Sequence, residues 1–174
     1  MLKTCTKGPS VKEGHTTVTQ IMDTFALRHL APLAHDRISD LLKKETCDPS
    51  FIIKAIPILQ MIHVFSQVNP VGAIQKFTKF LTTVEKHVMK QNGFNLIIRN
   101  VPRVAEMRES RQAVEIKYAH IRDTLREFGY LASFHMIRGT VYVKFVEKET
   151  ATRTHELINN MLMGSNILKT EIIV

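Results

Sequence analysis

The octapeptide Arg138–Phe145, RGTVYVKF, combines side chains that could contact nucleic acid with the alternation of a β-strand. Successive side chains of a strand point to opposite faces, so one apolar row would consist of Val141, Val143 and Phe145. The opposite row would carry Arg138, Thr140, Tyr142 and Lys144. An aromatic ring among cations can stack a base and hold phosphates. The octapeptide therefore predicts a strand with a core face and a face for single-stranded nucleic acid.

The composition of the chain agrees with an acidic partner. The 174 residues include 24 Lys and Arg against 16 Asp and Glu, which gives a net charge of +8. Such a surplus favours nucleic acid above other partners. The two cysteines, Cys5 and Cys47, form no metal-binding or disulfide pattern, which favours a reducing compartment. We therefore expect an intracellular protein, in the nucleus or the cytoplasm, without a signal peptide in its polar first fifteen residues.

The first half of the chain has the apolar periodicity of helices. Residues 1–14 lack periodicity and predict a flexible arm. Residues 15–92 predict a helical unit of about four helices: Thr16–Leu30, Leu33–Lys44, Phe51–Val68 and Val71–Lys90. Within the second of these, Arg37 is expected in solvent. The third is strongly apolar, but polar residues and Pro57 interrupt it, so a buried helix is expected rather than a membrane span.

The second half, residues 93–174, predicts the order β-α-β-β-α-β. The predicted elements are a strand at Phe94–Val101, a helix at Ser110–Phe128, strands at Tyr130–Ile137 and Thr140–Val146, a helix at Lys148–Met163 and a strand at Ile167–Val174. Only Arg138 and Gly139 separate the two middle strands, which indicates a tight hairpin. In the last helix, Leu157 and Met161 are expected to point inward, and Gly164 to end it. The fold class is therefore α+β, a helical unit followed by a ferredoxin-like domain with a four-stranded antiparallel sheet.

This second half resembles the RNA recognition motif over about residues 94–174. The octamer of that family runs basic, Gly, aromatic, Gly or Ala, aromatic, aliphatic, any, aromatic. Arg138–Phe145 matches five of its seven defined positions. The hexamer of the first strand corresponds to Leu96–Val101. The family stacks bases on aromatic rings of its first and third strands, and at those positions this chain has Ile97, Thr140 and Tyr142.

The resemblance and the strand alternation together place one set of side chains on the outer sheet face. The expected RNA-binding residues are Tyr142, Arg138, Lys144, Arg99, Thr140, Ile97, Asn95 and His135. A secondary basic patch would comprise Lys76, Lys79, Lys86, Lys90, Arg103, Arg108 and Arg111. With one aromatic ring of the family's three, we expect weak, salt-sensitive and poorly sequence-specific binding of single-stranded RNA.

A second reading keeps the fold as a scaffold for other proteins. In that case the chain would be an adapter or a structural accessory protein, such as one of a viral ribonucleoprotein, and the helical unit would dock a partner or self-associate. Neither reading is an enzyme, since no nucleophile elbow, phosphate loop or metal template occurs. The eight histidines are scattered, so no metal, cofactor, small-molecule substrate or membrane contact is expected.

Overall fold

The structure is a computed structural model that describes residues 22–23, 27–103 and 111–174. The chain divides into two compact units, with the boundary between Asn92 and Gly93. The predicted arm, most of the first predicted helix and Arg108 lie outside the described residues. The described part is an α+β protein, in which helices precede a four-stranded antiparallel sheet.

Three α-helices build the described part of the first unit, after a short 3₁₀ turn at Leu27–His29. They are α1 (Pro32–Lys44), α2 (Pro49–Ser66) and α3 (Pro70–Gln91). Each has a proline in its first turn, where no backbone donor is lost. Asp48 caps α2 by accepting a hydrogen bond from the Ser50 backbone N–H at 2.9 Å. A hydrogen bond from the Ser50 hydroxyl, together with this backbone bond, lowers the pKa of Asp48.

The core of the helical unit contains a buried carboxylate, paired with an arginine that the sequence pattern places in solvent. Glu85 of α3 is 0% exposed, and its Oε1 lies 3.3 Å from Nε of Arg37 on α1. Arg37 is therefore half-buried in an ion pair, which corrects its prediction as a solvated residue. A carboxylate removed from water needs a compensating charge, and this need draws the arginine inward.

Helix α2 is less buried than its composition predicts. Only 22% of Pro49–Ser66 is buried, although its length and hydropathy of 1.4 would suit a bilayer span. Ile53, Met61 and Val64 are 69%, 59% and 66% exposed. The expectation of a buried helix is wrong for this face. Helix α2 packs on α3 along one side. Because its apolar residues surround the helix axis rather than form a single stripe, the side that faces away from α3 is also apolar.

The described part of the second unit contains six strands and two helices. These are β1 (Leu96–Arg99), α4 (Arg111–Arg126), β2 (Leu131–Ile137), β3 (Thr140–Phe145), α5 (Lys148–Ile158), β4 (Leu162–Met163), β5 (Asn166–Ile167) and β6 (Lys169–Ile172). Strands β4 and β5 form a separate small hairpin. The main sheet is antiparallel in the order β2-β3-β1-β6, so β1 and β3 are adjacent central strands.

The core of the second unit lies on the sheet face predicted by strand alternation. Leu96 and Ile98 of β1 are buried in one cluster with the expected apolar row of β3 and with Leu125 and Ala151 of the two helices. The row on β3 comprises Val141, Val143 and Phe145. The period of two thus correctly identified the core side of both central strands.

The end of the chain differs from its prediction. Helix α5 ends at Ile158 rather than near Gly164, and Leu157 and Met161 are 61% and 51% exposed rather than inward. Asn160 has a φ of 67°, which a helix cannot continue. The neighbouring Asn159 accepts a hydrogen bond from the Thr170 backbone N–H at 3.1 Å. This bond joins Asn159 to the last strand of the sheet, and the left-handed backbone of Asn160 ends the helix at this point.

Cys47, between α1 and α2, offers a test of packing in the helical unit. It is 1% exposed, and burial together with the Asp48 carboxylate raises the pKa of its thiol from 9.0 to about 11. Since only the thiolate reacts, we expect Cys47 to be alkylated about 100-fold more slowly at about pH 8 than in the urea-unfolded chain. Because the unfolded chain loses this proton near pH 9 and the folded chain only near about 11, the free energy of unfolding should decrease as the pH rises between these values. Peptide mapping of the alkylated protein measures the rate at Cys47 alone; equal rates in folded and unfolded chains would contradict its burial.

Candidate nucleic-acid interface

The predicted RNA-contacting row of the sheet does come together in space. Tyr142 on β3 lies opposite Ile97 on β1 and opposite His135 on β2. The three residues thus form one line across three strands, on the face opposite the core cluster. The positions that the family resemblance singled out are therefore neighbours.

This row is buried rather than displayed. Tyr142 and Ile97 are 0% exposed, and Thr140 is 2% exposed. A base stacks on the open face of an aromatic ring, and the ring of Tyr142 has no solvent-accessible face in the described structure. The expectation of an open sheet surface is thus corrected. Ile97, Ile137 and Tyr142 make this face apolar, and apolar surface is stabilised by removal from water.

Asn95, expected to contact RNA, instead fastens the end of β3. Its Nδ2 donates to the carbonyl oxygen of Phe145 at 2.8 Å, and the Phe145 backbone N–H donates to its Oδ1 at 3.0 Å. Asn95 is buried, so these bonds satisfy backbone groups that lack water. The side-chain amide of Asn95 therefore has a structural role in holding the end of β3.

Arg99, one of the cations expected on the sheet face, has a carboxylate beside it. Nη2 of Arg99 lies 3.4 Å from Oε2 of Glu171 on β6, and Glu171 is directly opposite Ile97 in the register. This acid neutralises Arg99 and would repel a phosphate on the row. Lys144 is half-buried, and the ring of half-buried His135 lies 5.4 Å from that of Phe94. Glu171 was overlooked in the sequence because its strand carries no motif of the resembled family.

The Arg-Gly pair of the octamer is explained by the turn between β2 and β3. Arg138 and Gly139 have φ of 49° and 77°, as a two-residue hairpin requires at both central positions. A Cβ at Gly139 would lie 3.0 Å from the Val101 carbonyl oxygen. The expected tight hairpin is confirmed. Arg138 is exposed at its tip, where its charge is displayed beyond the strand rather than on the sheet.

The secondary basic patch is divided between the two units. On α3, Lys76, Lys79, Lys86 and Lys90 are all exposed, as the pattern predicts. The ammonium group of Lys76 lies 5.2 Å from the ring centroid of Phe65. In the second unit Arg103 is exposed, and Arg111 begins α4 with its side chain outside the described part of the structure.

An aromatic residue that the motif does not include is the most accessible one. Tyr130 is 88% exposed, and it is the only exposed Phe or Tyr among the described residues. It lines a shallow depression with Arg126 and Leu131, just before β2. An aromatic ring directly after a helix-ending glycine was the available signal, but it precedes the strand and so has no place in the alternation.

Comparison with known proteins adds no family. No protein-family model matches the sequence, and no curated protein matches it at a significant level. The described residues also contain no group of three His, Cys, Asp or Glu side chains that could hold a metal ion. Function must therefore be inferred from the surfaces of the two units.

Proposed function

We propose that this chain is a non-catalytic interaction protein, an adapter whose second unit is a scaffold of the RNA-recognition-motif type. The complete burial of Tyr142 supports this proposal above any other observation. Each stacked base contributes roughly 1–3 kcal/mol in single-strand binders, and a ring without an accessible face contributes none. The acidic Glu171 in the same row acts in the same direction.

The scaffold part of the proposal rests on element order and on strand adjacency. The order β1-α4-β2-β3-α5-β6 follows the split βαβ pattern, with the β4–β5 hairpin inserted before the last strand. Strands β1 and β3, which carry the two family-like motifs, are adjacent. A ferredoxin-like arrangement accounts for both features, and we propose it for residues 93–174.

The interaction part of the proposal rests on the helical unit. Isolated exposed apolar residues are ordinary, but Ile58 and Met61 lie three residues apart on one face of α2, are 42% and 59% exposed, and line the same apolar depression. Contiguous apolar surface of this kind marks interaction sites in soluble proteins. We propose that this surface binds other proteins inside the cell.

A second candidate function is weak binding of single-stranded RNA away from the sheet face. The four exposed lysines of α3 favour it, as does the exposed Tyr130 beside Arg126. Such binding would follow the phosphate backbone, depend strongly on salt and show little sequence preference.

Affinity capture with and without nuclease separates the two functions. For the adapter, we expect protein partners captured by the tagged full chain to remain after RNase treatment, and the purified chain to have a low 260/280 absorbance ratio. Partners that all dissociate with RNase would overturn the adapter proposal. So would tight RNA binding that weakens by orders of magnitude between about 50 mM and about 200 mM salt. The double variant Lys86→Glu/Lys90→Glu would reduce RNA binding but leave adapter contacts intact.

A further inference from the structure

Helices α2 and α3 enclose an apolar groove on the surface of the helical unit. Its volume is about 270 Å³. The lining residues are Phe51, Lys54, Ala55, Ile58, Met61 and Ile62 from α2 and Lys76, Lys79, Phe80 and Thr83 from α3. On α2 they recur at steps of three and four residues, so they follow one helix face for about 16 Å. The groove therefore has the length of about three helical turns.

The floor of the groove is held in a fixed shape. The ring of Phe51 stacks on His87 with centroids 4.0 Å apart and an interplanar angle of 12°. Phe80 is 6% exposed, whereas Met61 and Ile58 are 59% and 42% exposed. A rigid aromatic floor beside accessible aliphatic side chains lowers the entropy cost of binding.

The rim of the groove is positive. Lys54, Lys76 and Lys79 line it and are exposed. Between Pro49 and Gln91 the only acidic residue is Glu85, which is fully buried near Arg37. The nearest carboxylate outside that range is Asp48, which caps α2 at one end of the groove. The rim thus carries net positive charge from α2 and α3, which Asp48 offsets in part near Lys54.

The apolar floor and the lysine rim together indicate which kind of ligand fits the groove. We propose that the groove binds an amphipathic helix of a partner protein, with apolar residues at i, i+3, i+4 and i+7 and with Asp or Glu on both flanks. This inference rests on the proposed adapter function and names the partner for it. A second copy of the same face would bring lysine rims together, and like charges disfavour that contact. Nucleic acid is disfavoured by the floor, since Phe51 is stacked on His87 and Phe80 is buried.

Fluorescence anisotropy with synthetic helices tests the groove directly. The probe is a labelled 15-residue amphipathic peptide with a leucine face and glutamate flanks, and its reference carries lysine in place of every glutamate. We expect the full-length protein to bind the acidic peptide in the micromolar range and the lysine peptide at least about tenfold more weakly. Equal affinity for both peptides, or no binding of the acidic one, would overturn the proposal.

Two pairs of matched variants locate the binding. The double variant Lys76→Glu/Lys79→Glu should reduce the affinity for the acidic peptide at least about tenfold. The double variant Lys86→Glu/Lys90→Glu, on the same helix but outside the groove, should leave this affinity unchanged. Met61→Gln should reduce the affinity for the acidic peptide about tenfold. Ile53→Gln should leave it unchanged, because Ile53 is more exposed than Met61 but does not line the groove. All six substituted residues are exposed, so circular dichroism should show folded variants. Equal effects within either pair would refute the assignment to the groove.

Three further outcomes are distinguishable. Binding to anionic lipid vesicles that Met61→Gln and Ile53→Gln reduce equally would indicate a membrane surface along α2, and would overturn the groove. If wild-type protein captures RNase-resistant partners that the groove variants still capture, the adapter function stands and the groove proposal fails. If no captured protein partner remains bound after RNase treatment, the adapter proposal itself is wrong.

Discussion

Tyr142→Ala is expected to lower the free energy of unfolding by about 3–5 kcal/mol. Tyr142 is the largest fully buried side chain of the described residues, at 0% exposure on a central strand. Truncating a buried ring removes its contacts and leaves a cavity that the surrounding strands can close only partly. Urea denaturation followed by circular dichroism measures the change.

Tyr130→Ala is the matched control, because it removes the same side chain from an 88% exposed position in the same unit. Its effect on stability should stay within about 0.5 kcal/mol. If Tyr142→Ala instead cost less than about 1 kcal/mol and abolished RNA binding, the ring would be a base-stacking platform, and the adapter proposal would lose its main support.

Arg37→Met is expected to destabilise the helical unit by about 3 kcal/mol. The substitution keeps the aliphatic part of the side chain but removes the cation beside Glu85, whose carboxylate stays at 0% exposure. The side chain of Arg37 keeps 21% of its surface exposed, so water already screens part of its attraction to Glu85, which lies 3.3 Å away. The expected loss is accordingly at the lower end of the range for broken buried pairs. Urea denaturation measures it.

Two controls isolate the buried charge as the cause. Lys43→Met on the same helix breaks the exposed Lys43–Asp40 pair, of 3.4 Å, and should change stability by less than about 1 kcal/mol. The double variant Arg37→Met/Glu85→Met should recover most of the loss, since two apolar side chains replace the two charges. A double variant as unstable as Arg37→Met would show that packing at Glu85, and not its charge, sets the cost.

The burial of Tyr142 changes how the octapeptide is to be interpreted. Its valines and Phe145 belong to the core, and its Arg-Gly pair forms the hairpin turn. Its remaining aromatic ring is covered. Every motif-like feature of RGTVYVKF thus has a folding role in this structure. A protein can keep the outline of a nucleic-acid-binding strand for its packing alone, and we propose that this chain does so.

The proposed groove was within reach of sequence reasoning but was not found by it. The apolar run of α2 indicated a helix, and its composition favoured burial. The pattern could not show which side of α2 packs on α3, because apolar residues occur all around this helix. The lysines of α3 were recognised as one exposed set, but only packing separates Lys76 and Lys79, on the groove, from Lys86 and Lys90, outside it.

The amino-acid sequence predicted the helices α1 to α3, the hairpin at Arg138–Gly139, the core row of β3 and the main strands and helices of the second half, but not the β4–β5 hairpin. These follow from local rules, since apolar period, turn chemistry and alternation act within a few residues. Tertiary structure alone decided that Tyr142 is covered, that Glu171 lies beside Arg99 and that Arg37 turns inward to Glu85. Alternation assigns a side chain to a face, but only contacts from distant parts of the chain determine whether that face meets water.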